Sequence, residues 1–149
     1  MMIALACDHG GFGLMSAVKG YLDSGGFSFK DYGTDSAESC DYPLIAHNAA
    51  LAVASGECCL GIFICGTGIG MAMAANKTPG VRAALCSDCY TAEMARRHNN
   101  ANVLALGARV TGEGLAFRII DLFLRTGFDG GRHSRRVEML NELDSQSAP

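Results

Sequence analysis

A chain of 149 residues, 49% hydrophobic and 18% charged with a net charge of −3, carries enough apolar surface for one well-buried globular domain. The mild acidity argues against the basic patch that nucleic-acid binding needs, and no apolar run reaches the roughly 18 residues of a membrane span. Seven cysteines, odd in number and scattered through apolar stretches, do not form a secreted disulfide framework; reduced thiols, no leader segment and a cytoplasmic location are expected.

In chain order, Met2 to Cys7 reads as a buried strand, and Gly10-Gly11 opens a helix that runs to about Ser24 before Gly25-Gly26. Phe27 to Tyr32 reads as a second strand and Gly33 to Cys40 as a loop. Asp41 is placed to cap a helix with Pro43 in its first turn, ending near Ser55. Leu60 to Ile64 is strand three, and Thr67 to Asn76 is a short helix of good helix formers. Val81 to Leu85 is strand four, with Ser87 or Asp88 capping a helix to about His98. Asn102 to Leu106 is strand five, followed by an amphipathic helix from Thr111 to Arg125. After a loop from Phe128 to Gly131, a last helix covers Ser134 to Leu143. One domain over residues 1–144 is expected, with a frayed tail over 145–149.

Five β-rich runs alternating with helices predict an α/β, Rossmann-like three-layer sandwich: a five-stranded parallel sheet with right-handed crossovers and helices on both faces. Ligands of such sheets bind beyond the carboxyl ends of the strands, at the switch in strand order. Asp8 and His9, Cys65 to Gly70, Ser87 and Asp88, and Arg109 all follow strands there.

The most informative stretch is Cys65-Gly66-Thr67-Gly68-Ile69-Gly70, where a strand ends in cysteine and alternating glycines lead into a helix. Such a loop lets backbone N–H groups approach an oxyanion or phosphate, and a helix N-terminus favours a thiolate over a thiol. It also admits a plain structural turn. A dinucleotide fingerprint fits poorly, because the third glycine comes one residue early and the loop follows the third strand. Asp8-His9-Gly10-Gly11 admits either turn chemistry or a phosphate-facing histidine. His98, in Arg96-Arg97-His98-Asn99-Asn100, fits a basic helix end with an asparagine cap as well as a functional role. Arg132 and Arg136, four apart after Gly130-Gly131, read equally as a solvated helix face or as a guanidinium clamp for phosphate. Cys86-Ser87-Asp88-Cys89 matches Cys-x-x-Cys, a motif of low specificity in a cysteine-rich chain; no second pair suggests zinc.

Taken together, Cys7-Asp8-His9-Gly10-Gly11, Asp41-Tyr42-Pro43, Ile64 to Gly70, Ala74-Ala75-Asn76-Lys77, Arg96-Arg97-His98-Asn99 with Asn102, and Gly130-Gly131-Arg132-His133 with Arg136 closely resemble type B ribose-5-phosphate isomerases, a family that includes galactose-6-phosphate isomerase subunits. The likeness spans Met2 to about Leu143. It implies an aldose–ketose isomerase interconverting ribose 5-phosphate and ribulose 5-phosphate through an enediolate. Cys65 would be the base assisted by Thr67, with the backbone of Gly66, Thr67, Gly68, Ile69 and Gly70 holding the enediolate oxygens. His98 would open the sugar ring. Asp8, Tyr42 and Asn99 would bind hydroxyls, and His9, Arg109, Arg132 and Arg136 the phosphate. The resemblance further implies no metal or organic cofactor, and a homodimer or a dimer of such dimers with composite active sites, the C-terminal helix reaching the partner. The same family leaves open an allose or galactose 6-phosphate isomerase, and a non-catalytic sugar-phosphate sensor stands as the alternative of another class.

Overall fold

The computed structural model describes residues 1–146. Eleven elements follow one another among them: β1 (Met2–Cys7), α1 (Phe12–Ser24), β2 (Ser28–Asp31), α2 (Tyr42–Ala54), β3 (Leu60–Cys65), α3 (Ile69–Ala75), β4 (Ala83–Leu85), α4 (Cys89–Asn99), β5 (Val103–Gly107), α5 (Glu113–Arg125) and α6 (Arg132–Gln146). The five strands form one all-parallel sheet in the order β2-β1-β3-β5-β4.

Strand periodicity of two divides the core into two layers. Ile3, Leu5, Cys7, Ile62, Ile64, Leu104 and Leu106 point to the side covered by α1, α4 and α5. Ala4, Ala6, Phe63, Cys65 and Val103 point to the other, where α2 supplies Ala46, Ala49, Ala50 and Val53, and α3 supplies Met71 and Ala75. The small alanine face of α2 lets that helix lie close over the sheet, leaving Phe63 to fill the space between. This parity puts Cys65 on the α2–α3 side and Cys7, at the adjacent strand end, on the opposite side.

Several boundaries differ from the sequence reading for local reasons. The α3 helix starts at Ile69 rather than Thr67 because Gly68 takes φ +80°, which is not helical. The β4 strand starts at Ala83 because the Arg82 N–H is taken by the Asn102 side chain at 2.7 Å. Asp41 is at the N-cap position of α2 as expected, but its side chain makes no capping hydrogen bond. Asp88 does cap α4, accepting from the Thr91 N–H at 2.8 Å. The last helix begins at Arg132, directly after left-handed Gly130 and Gly131, and continues through Gln146, so Ser145 and Gln146 of the expected frayed tail are helical. Residues 147–149 of that tail lie outside the described residues.

Two polar devices close the open side of the sheet. Asn76 accepts from the Ala83 N–H at 2.8 Å and donates to the Ala83 carbonyl at 3.0 Å, occupying groups that edge strand β4 would otherwise expose. The α6 helix is anchored beyond it: Asn141 accepts from Arg82 at 3.1 Å, and Asp144 accepts from the Gly80 N–H at 2.7 Å. No helix among the described residues is long and apolar enough to cross a membrane.

Candidate active site

The order of the sheet reverses between β1 and β3, and the carboxyl ends of these two strands carry Asp8 and Cys65. A cavity of about 420 Å³ opens there, lined by Asp8, His9, Gly10, Tyr42, Cys65, Gly66, Thr67, Ile69, Gly70, Met73 and Arg109. Residues from the ends of β1, β3 and β5 and from the starts of α2 and α3 therefore meet at one place. Sequence reasoning singled out all of these as binding or catalytic residues except Gly10 and Met73.

Each side chain has an identifiable support. Asp8 is buried, and its Oδ1 accepts the Gly11 N–H at 3.0 Å, which starts α1. Asp8 therefore makes the turn contact expected of it and also lines the cavity. Tyr42 enters from the first residue of α2, and its ring lies so close to Gly70 that a Cβ there would stand 2.8 Å from the ring carbons. A side chain at position 70 would expel the ring. Arg109 is held by its N–H, which donates to the Gly66 carbonyl at 3.0 Å, and its side chain lies across Gly66.

Cys65 ends β3, is 6% exposed and is the cysteine that lines this cavity. The Gly68 N–H donates to its Sγ at 3.1 Å, a geometry made possible by the left-handed turn at Gly68. The Thr67 hydroxyl accepts from the Ile69 N–H at 3.4 Å, and the first-turn N–H groups of α3 that follow have no intrahelical acceptor. A sulfur with a backbone donor aimed at it and further donors beside it is suited to carry negative charge and to face a developing oxyanion. Burial, with the Asp31 carboxylate adding to it, pushes the Cys7 thiol up to about 11, and burial also raises Cys86. All seven cysteines are free.

Four of the expected site residues are elsewhere in the chain. His98 and Asn99 end α4, which runs back across the sheet, so they precede β5 and lie at the amino edge of the strands. His98 stacks on His133 with ring centroids 4.3 Å apart and planes 6° from parallel. Asn99 borders a different cavity with Arg82 and Leu140. Arg132 and Arg136 share one face of α6 with Arg135 and Met139, around a third cavity of about 380 Å³. Arg97 binds Asp129 through Nε at 3.1 Å and its carbonyl accepts the Asp129 N–H at 3.0 Å, which fastens the turn before α6 to the end of α4. Desolvation, then the neighbouring His98, Arg132 and Arg136, hold the His133 imidazole below its ordinary range. Five or so strand residues separate this cationic cluster from Cys65, about 17–20 Å along the sheet. His133 was not singled out for a role by sequence reasoning; its adjacency to Arg132 was the available signal.

The family model described as Ribose/Galactose Isomerase matches residues 3–140. The chain is 47% identical over 144 residues to "Ribose-5-phosphate isomerase B" of Escherichia coli, covering 97% of each chain. It is 42% identical over 147 residues to "D-erythrulose-4-phosphate isomerase" of Pectobacterium atrosepticum, covering 98% of this chain and 97% of that protein. The solved structure of a Clostridium thermocellum ribose-5-phosphate isomerase B superposes with a TM-score of 0.97 at 47% identity, over 99% of this chain and 100% of the other. With a cysteine and its backbone donors at the switch point of a matching fold, the chain belongs to the ribose/galactose isomerase family and is an isomerase.

Proposed function

We propose that the enzyme interconverts ribose 5-phosphate and ribulose 5-phosphate in the cytoplasm, with Cys65 moving a proton between C1 and C2. The observation that carries the reading is the Cys65 cavity, where one thiol, its Gly68 donor and the start of α3 stand together. Isomerisation of an aldose needs a base at a carbon acid and donors at an oxygen that becomes negative, and this site offers both. Asp8 and Tyr42 bind hydroxyls, and Thr67 assists the thiol. Seven free cysteines suit a reducing compartment. A side-by-side assay of ribose 5-phosphate with four- and six-carbon aldose phosphates tests the substrate: the pentose phosphate is expected to have the highest kcat/KM. Preference for a four- or six-carbon sugar phosphate, or binding without turnover, would overturn it.

The working site is composite, formed in a homodimer. One chain supplies Cys65, and the partner supplies ring opening by His98, a hydroxyl contact from Asn99 and a phosphate clamp from Arg132 and Arg136. The separation of the two groups on opposite edges of one sheet supports this arrangement, because a five-carbon sugar phosphate cannot span it within a chain. Arg132, Arg135 and Arg136 make no ion pair with a carboxylate among the described residues, leaving their charge for an outside anion. Arg136→Ala is expected to raise KM for the sugar phosphate roughly ten- to a hundredfold, the loss of a charge-assisted hydrogen bond, with kcat little changed. Lysine restores charge but not the fork, so Arg136→Lys is expected to fall between. Equal damage to unphosphorylated ribose would remove Arg136 from the phosphate site.

A further inference from the structure

His9 faces the cavity with one of its two ring nitrogens already engaged. The backbone N–H of Cys40 donates to Nδ1 at 3.3 Å, and the Cys40 Sγ lies 3.9 Å from the same nitrogen. Cys40 belongs to the segment between β2 and α2, 31 positions from His9 in sequence, and two residues later the segment delivers Tyr42 to the lining of the same cavity. Its far end is also tied down: the Thr34 N–H donates to the Cys7 carbonyl at 3.0 Å, and the Gly33 N–H to Asp31 Oδ1 at 2.9 Å.

A backbone amide can only donate, so the nitrogen that receives it must present a lone pair. In the neutral ring the proton is then on Nε2, the nitrogen Cys40 leaves available. We propose that the Cys40 amide fixes His9 in the Nε2–H tautomer, so that His9 serves the substrate as a hydrogen-bond donor to an acceptor oxygen and Cys40 is its positioning residue. His9 in this form offers no lone pair to the cavity, which leaves Cys65 without a competing base at the reacting carbons. The tautomer follows from the contact itself; the assignment of the acceptor oxygen to a sugar phosphate rests on the isomerase reading above.

Nitrogen-15 NMR of histidine-labelled enzyme tests it, with His9 assigned by the signals that His9→Asn removes. A protonated Nε2 and an unprotonated Nδ1 are expected; an Nδ1–H ring or an averaged mixture of tautomers would overturn the proposal, whether or not the Cys40 variants fold. Cys40→Ala keeps the amide and is expected to keep the tautomer, whereas a change there would transfer the role to the thiol and also overturn it. Cys40→Pro deletes the N–H together with the thiol and fixes φ, so its difference from Cys40→Ala isolates the amide from the sulfur. In a preparation that melts cooperatively, it is expected to mix the tautomers and raise KM for ribose 5-phosphate about two- to tenfold, with kcat less affected. An unchanged tautomer and KM in Cys40→Pro would defeat the positioning role while leaving the isomerase reading intact. Failure of the wild-type enzyme to turn over any sugar phosphate, with the tautomer as expected, would instead defeat that reading.

Discussion

Cys65→Ala is expected to lower turnover roughly 10²–10⁴-fold or more, while substrate affinity and the melting temperature stay near wild type. The asymmetry follows from what the sulfur does. It touches the reacting carbons in the proposed complex but contributes little to ground-state binding, which the hydroxyl and phosphate contacts supply. Alanine in its place removes a single heavy atom at a position that is 6% exposed beside an open cavity, so repacking costs little. No other cysteine lines that cavity to replace it, and Cys7, at the next strand end, faces the other side of the sheet with its thiol pushed up to about 11. Initial rates with ribose 5-phosphate and a thermal melt on the same preparation decide the matter. Near-normal turnover by pure Cys65→Ala would place the base elsewhere.

Gly68→Ala is expected to damage both stability and activity. Position 68 has φ +80°, and a Cβ there would stand 2.4 Å from Leu85 Cδ1 and 2.9 Å from the Leu106 carbonyl carbon. A left-handed alanine costs about 1–2 kcal/mol and overpacking against a strand about 1–3 kcal/mol more. At about 2–4 °C per kcal/mol for a chain of this size, the melting temperature should fall by roughly 10 °C. Relief of the clash moves the turn, and with it the Gly68 N–H that donates to Cys65 Sγ, so turnover should fall even in the folded fraction. Circular dichroism melts and rates measured well below the transition check the two effects separately. A variant with wild-type melting and wild-type turnover would contradict the role assigned to this turn.

The strands and their order of chemistry were legible because a parallel sheet sends every strand end to one edge. Apolar runs located the strands, and the residues just after them, Asp8, His9, Cys65 and Arg109, had to converge. Element starts were less legible where a single hydrogen bond or dihedral decides them. The left-handed Gly68 delays α3, and the Asn102 side chain intercepts the Arg82 N–H ahead of β4. Contacts that cross the sequence were not legible at all. The Cys40 amide on His9 and the His98–His133 stack join segments about 30 residues apart, and neither spacing nor composition marks them. The family resemblance supplied the second group of site residues; periodicity alone left His98 and the arginine pair undecided.

The central claim is a site shared between two chains, and complementation between variants impaired in different ways tests it most directly. Cys65→Ala chains lack the base, and Arg136→Ala chains lack part of the phosphate clamp. Once subunits exchange, a heterodimer owns one site with both residues intact and one with neither. At substrate concentrations below the raised KM, the mixture is therefore expected to recover activity well above the sum of the two variants, approaching one working site per heterodimer. No recovery after exchange has been verified by mass spectrometry would mean that Cys65 and Arg136 serve the same chain's site, which contradicts the composite account.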